Sequence, residues 1–281
     1  MRLQVFHRTR YLYRLPVRES YNELRLHPAT DDASRLEFFL LKVQPPVRLR
    51  HFRDHYFNYV HYFELAEPHS ELVIEAQSTL NTTSPYSSGN PVGVEMTSLA
   101  SMEDDVLRDF LRPSRFVDCS TELWKLALDI TSGINDVFTA AETISRHIFE
   151  NWRYAPNTTT AATHAREVLA SKQGVCQDFA HLMIGLCRSR GIPARYVSGY
   201  LYNGADSHLR GFQASHAWCE VFIPGRGWYG LDPTNNVPAD ERHIKIATGR
   251  DYYDAAPVSG QFEGPPGAAT ALQVDVRVEQ V

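Results

Sequence analysis

The amino-acid sequence predicts an α+β protein, with an all-β, sandwich-like domain over residues 1–85 followed by a helical layer against an antiparallel sheet over 86–281. Three observations predict it. Early segments alternate apolar and polar residues with a period of two, as half-buried strands do. The middle of the chain carries apolar residues at helical spacing. Alternation then returns after Pro193 and is clean again near the C-terminus.

Leu3, Val5, His7, Thr9, Tyr11 and Tyr13 form one alternating run, and Leu72, Ile74, Ala76, Ser78 and Leu80 another. Shorter strands are expected near 21–26, 36–43, 48–53 and 59–65, broken by Leu15-Pro16, His27-Pro28, Pro45-Pro46, Asp54 to Asn58 and Glu67-Pro68. Residues 81–96 are rich in Ser, Thr, Pro and Gly and read as a linker. Helices are expected over 102–112, 121–131, 136–151 with Asn135 as N-cap, and 164–172. From Cys176 onward, Phe179, Ala180, Met183, Ile184 and Cys187 share one stripe, widened by Leu182 and Leu186. That pattern predicts a centrally buried helix ending before Gly191-Ile192-Pro193. Strands follow at 194–202, 215–223, 227–232 and 243–248, and Leu272 to Val278 alternates as a last strand. The loop from Asn203 to His208 lacks calcium-ligand spacing and reads as a solvated turn.

With 281 residues, 43% of them hydrophobic, the chain can build two cores. A net charge of −5 supplies no basic footprint, so neither nucleic acid nor an anionic membrane is an expected partner. No apolar run is long enough to span a bilayer and no signal core is visible, so a soluble, cytoplasmic protein is expected. Cys119, Cys176, Cys187 and Cys219 lack the spacing of a disulfide framework or a zinc site, and reduced thiols without a structural metal are expected.

Cys176 falls at the first turn of its helix, among backbone N–H groups without intrahelical partners, where the dipole favours negative charge and an oxyanion can be held. A thiol nucleophile also needs a base and a group to orient that base. His216 and Asp232 answer this on adjacent strands. An odd-numbered loop of three residues (223–225) or five (223–227) puts both on one sheet face, opposite or diagonal. The other face carries Ala217, Cys219, Val221 and Ile223 and should rest on the core, while Trp218 and Glu220 share the histidine face and are expected to wall the cleft. His181 projects about 140° away from Cys176 around the helix and is excluded as its base. Asp178 reads as a dipole-compensating residue, and Cys119, Cys187 and Cys219 read as structural.

Gly-Val-Cys-Gln-Asp-Phe-Ala-His-Leu-Met (174–183), Gly-Ile-Pro-Ala-Arg-Tyr-Val-Ser-Gly-Tyr (191–200), His-Ala-Trp-Cys-Glu-Val (216–221), Gly-Trp-Tyr-Gly-Leu-Asp-Pro-Thr-Asn (227–235) and Gly-Arg-Asp-Tyr (249–252) resemble the bacterial transglutaminase-like, or predicted cysteine protease, family. The resemblance implies a papain-like α+β core with Cys176 as nucleophile, His216 as base and Asp232 as its orienter, behind an N-terminal β domain. It implies no metal or organic cofactor. Transglutaminases proper place a tryptophan shortly before the cysteine to stabilise the oxyanion, and residues 155–175 contain none. Tyr154 and Trp152 are the nearest aromatics, and Tyr154 is the expected substitute. Three functions stand open: a thiol protease or amidase acting on a peptide or protein, a transglutaminase using an amine acceptor, and a protein-binding module without turnover.

Overall fold

The computed structural model describes residues 1–101, 104–204, 209–211 and 215–281. Its frame is one very long strand, β1 (Arg2–Leu24), joined by β2 (Ser34–Gln44), β3 (Arg50–Arg53), β4 (Tyr59–Leu65) and β5 (His69–Thr82). The first half of β1 pairs with β5, which in turn pairs with β2, and the second half pairs with β4, which pairs with β3. Two runs expected as separate strands are therefore one. Leu15-Pro16 falls where β1 leaves one sheet for the other, between pairs Leu12↔Glu71 and Val17↔His69. A proline costs no ladder bond at such an irregularity.

Residues 83–95 cross to the second layer without regular structure, yet they are anchored along the way. The Tyr86 hydroxyl donates to the Gly230 carbonyl, and the Gly93 and Val94 amides donate to Asp136 Oδ2. Helices α1 (Asp105–Asp109), α2 (Thr121–Ile130) and α3 (Val137–Asn151) follow. The helix expected over 102–112 is thus shorter, and 102–103 lie outside the described residues. Asp136, not Asn135, caps α3 by accepting the Thr139 amide at 2.8 Å. Strand β6 (Arg153–Tyr154), helix α4 (Ala165–Ser171), strand β7 (Gln173–Gly174) and helix α5 (Cys176–Ser189) come next.

The remaining chain forms β8 (Ala194–Leu201), β9 (His216–Ile223), β10 (Gly227–Asp232), β11 (Val237–Pro238), β12 (His243–Gly249), the short helix α6 (Tyr252–Ala255), β13 (Val258–Glu263) and β14 (Ala269–Gln280). Strands β8 to β12 make one antiparallel sheet in the order β11-β10-β9-β8-β12. As expected, Ala217, Cys219, Val221 and Ile223 turn inward, joining Phe179, Ala180, Met183, Ile184 and Cys187 of α5 in one fully buried core. Of the loop from 203 to 208, residues 205–208 lie outside those described, so the solvated turn expected there is not described.

The boundary at residue 85 needs correction, because β13 and β14 both pair with β1 and complete the two N-terminal sheets. Alternation in 272–278 marks a strand but carries no address for its partner. The two cores also share a wall: Tyr200, Ile244 and Ile246 pack with Leu3, Val5 and Ile74. Asn58 bonds both the carbonyl and the amide of Thr248, at 2.7 and 2.8 Å.

Candidate active site

Cys176 is the first residue of α5, and the mouth of that helix is built by its neighbours. Asp178 folds back so that its Oδ2 accepts the Val175 amide at 2.7 Å and the Thr159 hydroxyl at 2.6 Å. Gly174 lies beneath that carboxylate; a Cβ there would stand 2.7 Å from the Asp178 Cβ. Asp178 is therefore more than a dipole partner: it ties the 155–164 loop to the helix start, while its burial pushes its acidity down, that is, raises its pKa. The Gln177 amide adds a second tie, to the Ala161 carbonyl at 3.1 Å.

Strands β6 and β7 run parallel with Tyr154 opposite Gly174, which delivers the Tyr154 ring to the vicinity of the sulfur. Burial, reinforced by Cys176 and only partly offset by Arg210, pushes its phenol up to about 12, so the hydroxyl stays a donor at neutral pH. Trp152 instead turns into the core and donates its indole N–H to the Val168 carbonyl at 2.9 Å.

The β9–β10 hairpin pairs Ile223 with Gly227, so the loop is the three residues 224–226, shifted by one from the expected 223–225 but of the same parity. His216 and Asp232 consequently sit diagonally on one face, and the imidazole Nε2 donates to Asp232 Oδ2 at 2.8 Å. Both side chains are fully buried. Nδ1 has no well-aligned partner, and the neighbouring group that acts on the ring besides Asp232 is the Cys176 thiol. The structure thus brings the three predicted residues together in the order sulfur, imidazole, carboxylate.

Burial opposes charge on His216, but Asp232 and Cys176 together overcome it and lift the imidazole to about 10. Burial would likewise raise Asp232, and His216 with His243 outweighs it, holding this carboxyl far below the ordinary range. Because the His216 value rises from 6.5 to about 10 on folding, the charged ring stabilises the fold fully below pH 6.5, and this contribution fades as pH climbs through about 10. At pH 8 the His216 ring is expected to be protonated in the wild type and neutral in Asp232→Asn, where burial acts with less opposition. Imidazole nitrogen shifts measured by NMR check this; a neutral wild-type ring at that pH refutes it.

Four contributors to this site carry no signal in the sequence pattern. The Thr234 amide donates to Asp232 Oδ1 at 2.9 Å and the Asn235 side chain to Oδ2 at 2.7 Å, so the Asp-Pro-Thr-Asn stretch is a turn that holds its own carboxylate. Gly211 has φ +81, and a Cβ on it would lie 2.8 Å from His216 Nδ1. His243, at the start of β12, places Nε2 at 3.4 Å from Asp232 Oδ2. His216, Asp232 and His243 offer ligand atoms within 4.8 Å of one another. A cation among them would have to open the 2.8 Å hydrogen bond between the first two.

Trp218 corrects an expectation. It shares the His216 face, but it is only 2% exposed and stacks behind that ring instead of walling a cleft that substrate could reach. Gly199 and Gly230 make room for the indole, whose Cη2 would stand 2.5 Å from a Cβ at 199, and Ala239 packs against it. Glu220, also expected on the wall, is buried in ion pairs with Arg195 and Lys245. His181 accepts the Tyr252 amide at 3.1 Å and burial depresses it to about 3, which agrees with its exclusion as a base. Asp251 of the Gly-Arg-Asp-Tyr stretch caps α6 and accepts the Phe116 amide, a structural role.

Residues 3–81 match the bacterial transglutaminase-like N-terminal region and residues 125–233 the core of the transglutaminase-like superfamily. An uncharacterised Mycobacterium leprae protein is 32% identical over the whole chain and 99% of its own length. The chain belongs to the transglutaminase-like superfamily. Among solved structures, a Cytophaga hutchinsonii protein assigned as a cysteine protease superposes over the whole chain and 91% of its own, with a TM-score of 0.79 and 26% identity. A Pseudomonas aeruginosa protein-glutamine gamma-glutamyltransferase is 36% identical over 34% of this chain, which corresponds to 16% of that enzyme. In this transglutaminase-like chain the β-rich N-terminal region and the mixed helix-and-sheet core are the two parts the family matches.

Proposed function

We propose that the protein is a cysteine-dependent acyl-transfer enzyme that acts on amide bonds of a peptide or protein through a thioester on Cys176 and passes the acyl group to water. The observation that carries this reading is a solvent-excluded His216–Asp232 pair beside a thiol at the first residue of a central helix. The sulfur attacks the carbonyl carbon, and the C–N bond breaks as imidazolium delivers its Nδ1 proton to the leaving amine. Water then attacks the thioester and gives a proton to His216, and the C–S bond breaks to release the acid. The Tyr154 hydroxyl and the free amides at the start of α5 are the donors proposed for the oxyanion.

A second reading, transfer to an amine, draws on the glutamyltransferase relative. The two differ only in the acceptor. Peptide-bond cleavage, ammonia release from glutamine peptides and incorporation of a primary amine should be followed side by side. The hydrolase reading expects one of the first two without the third; amine incorporation would move the assignment to the transferase. The reading fails, leaving the protein-binding module, if all three are absent and iodoacetamide at about pH 6–7 modifies Cys176 no faster than Cys119, Cys187 or Cys219.

A further inference from the structure

Asp232 is held by four donors with different origins. Thr234 and Asn235 belong to the same turn and travel with the carboxylate, whereas His216 is the group to be oriented. Among the described residues, only His243 reaches Oδ2 from a separate strand without being the ring that needs orienting. It does so across β8 and β9. Lys245 pairs with Gly199, and Trp218 lies over that glycine with its ring edge-on to His243 at 5.2 Å.

The proton that makes this contact is set by what each ring nitrogen faces. Nδ1 lies 3.2 Å from both the Asp240 amide, a donor, and the Asp240 Oδ1, an acceptor, whereas Nε2 faces the ionised Asp232 carboxylate, which can only accept, so the contact to Asp232 needs the proton on Nε2. Asp240 is itself fixed by Arg242, whose Nε lies 3.0 and 2.9 Å from its two carboxylate oxygens. The ring is 1% exposed and so cannot exchange this partner for water.

We propose that His243 is a positioning residue: its Nε2–H pins the Asp232 carboxylate from the far side of the sheet so that the imidazole of His216 keeps Nδ1 aimed at the sulfur. This rests on the acyl-transfer reading of Cys176. The contact is a hydrogen bond between neighbours, not a contact with substrate, and it acts through Asp232 alone.

Two substitutions of the full chain separate this role from packing. In His243→Gln the side-chain amide reaches as far as Nε2 and can still donate to Asp232; in His243→Asn it reaches only as far as Nδ1 and cannot. The rate of Cys176 modification by iodoacetamide is measured across pH 5–9, with peptide mass analysis reporting each cysteine and melting temperature reporting the fold. His243→Asn is expected to slow modification at pH 7 by roughly tenfold, the lower end of what outer hydrogen-bond partners cost in metal sites, and to displace the pH profile. His243→Gln is expected to keep the wild-type profile with a rate within about threefold. Equal behaviour of the two variants, whether both fast or both slow, overturns the proposal. Wild-type Cys176 reacting no faster than Cys119 is a different failure: it removes the acyl-transfer reading first, and this inference with it.

Discussion

Cys176→Ala is expected to abolish turnover, by a factor of about 10⁴ or more, with the melting temperature unchanged within a degree or two. The asymmetry follows from where the side chain sits. Cys176 is partly exposed at the first position of α5, where alanine is an excellent helix residue and removal of one sulfur leaves no enclosed void. Chemically nothing replaces the sulfur. His216 can take a proton from water, but without a thioester the amide must be broken in one step, and a 10⁴-fold loss corresponds to about 5.5 kcal/mol of transition-state stabilisation. Activity retained in this variant, measured on a substrate that the wild type turns over, would move the chemistry to another group. Loss of activity together with a collapsed melting transition would instead make Cys176 structural.

The parts of this site legible in the sequence are those governed by short-range periodicity. A helix stripe locates Cys176 against Cys187, and strand parity with an odd loop places His216 and Asp232 on one face whether the loop is 223–225 or 224–226. Parity says nothing about what covers that face. Trp218 lies on the histidine side as expected, but the chain after Asp232 brings Ala239 over it, and a predicted cleft wall becomes a backing for the imidazole. His243 is illegible for a related reason, since its approach to Asp232 crosses two strands, β8 and β9, and has room there because Gly199 lacks a side chain. The same limit hid the return of β13 and β14 to β1, a pairing between opposite ends of the chain that leaves no local trace. Resemblance to known motifs reached as far as Gly-Arg-Asp-Tyr (249–252), but only the coordinates assign it to capping α6 and receiving the Phe116 amide.

Cys187→Asp tests the opposite end of the same helix and is expected to unfold the domain. Cys187 is wholly buried among Phe179, Met183, Ile184, Val221 and Leu231, with the Cys219 thiol as its near polar neighbour. The nearby cation Arg188 is committed elsewhere: it donates to the carbonyls of Ala194, Arg112 and Arg250. An aspartate at 187 would therefore be either a buried unpaired charge or a neutral acid with unmet hydrogen bonds, at a cost of about 3–5 kcal/mol. That is a large part of the roughly 5–15 kcal/mol by which folded domains are stable. Cys187→Ala removes only a small apolar group and should cost about 1 kcal/mol, so the aspartate penalty is separable from simple loss of packing in a urea titration. If Cys187→Asp melted like the alanine variant, the stripe that buries Cys187 and brings Cys176 to the helix mouth would be facing the wrong way, and the placement of the sulfur beside His216 would fall with it.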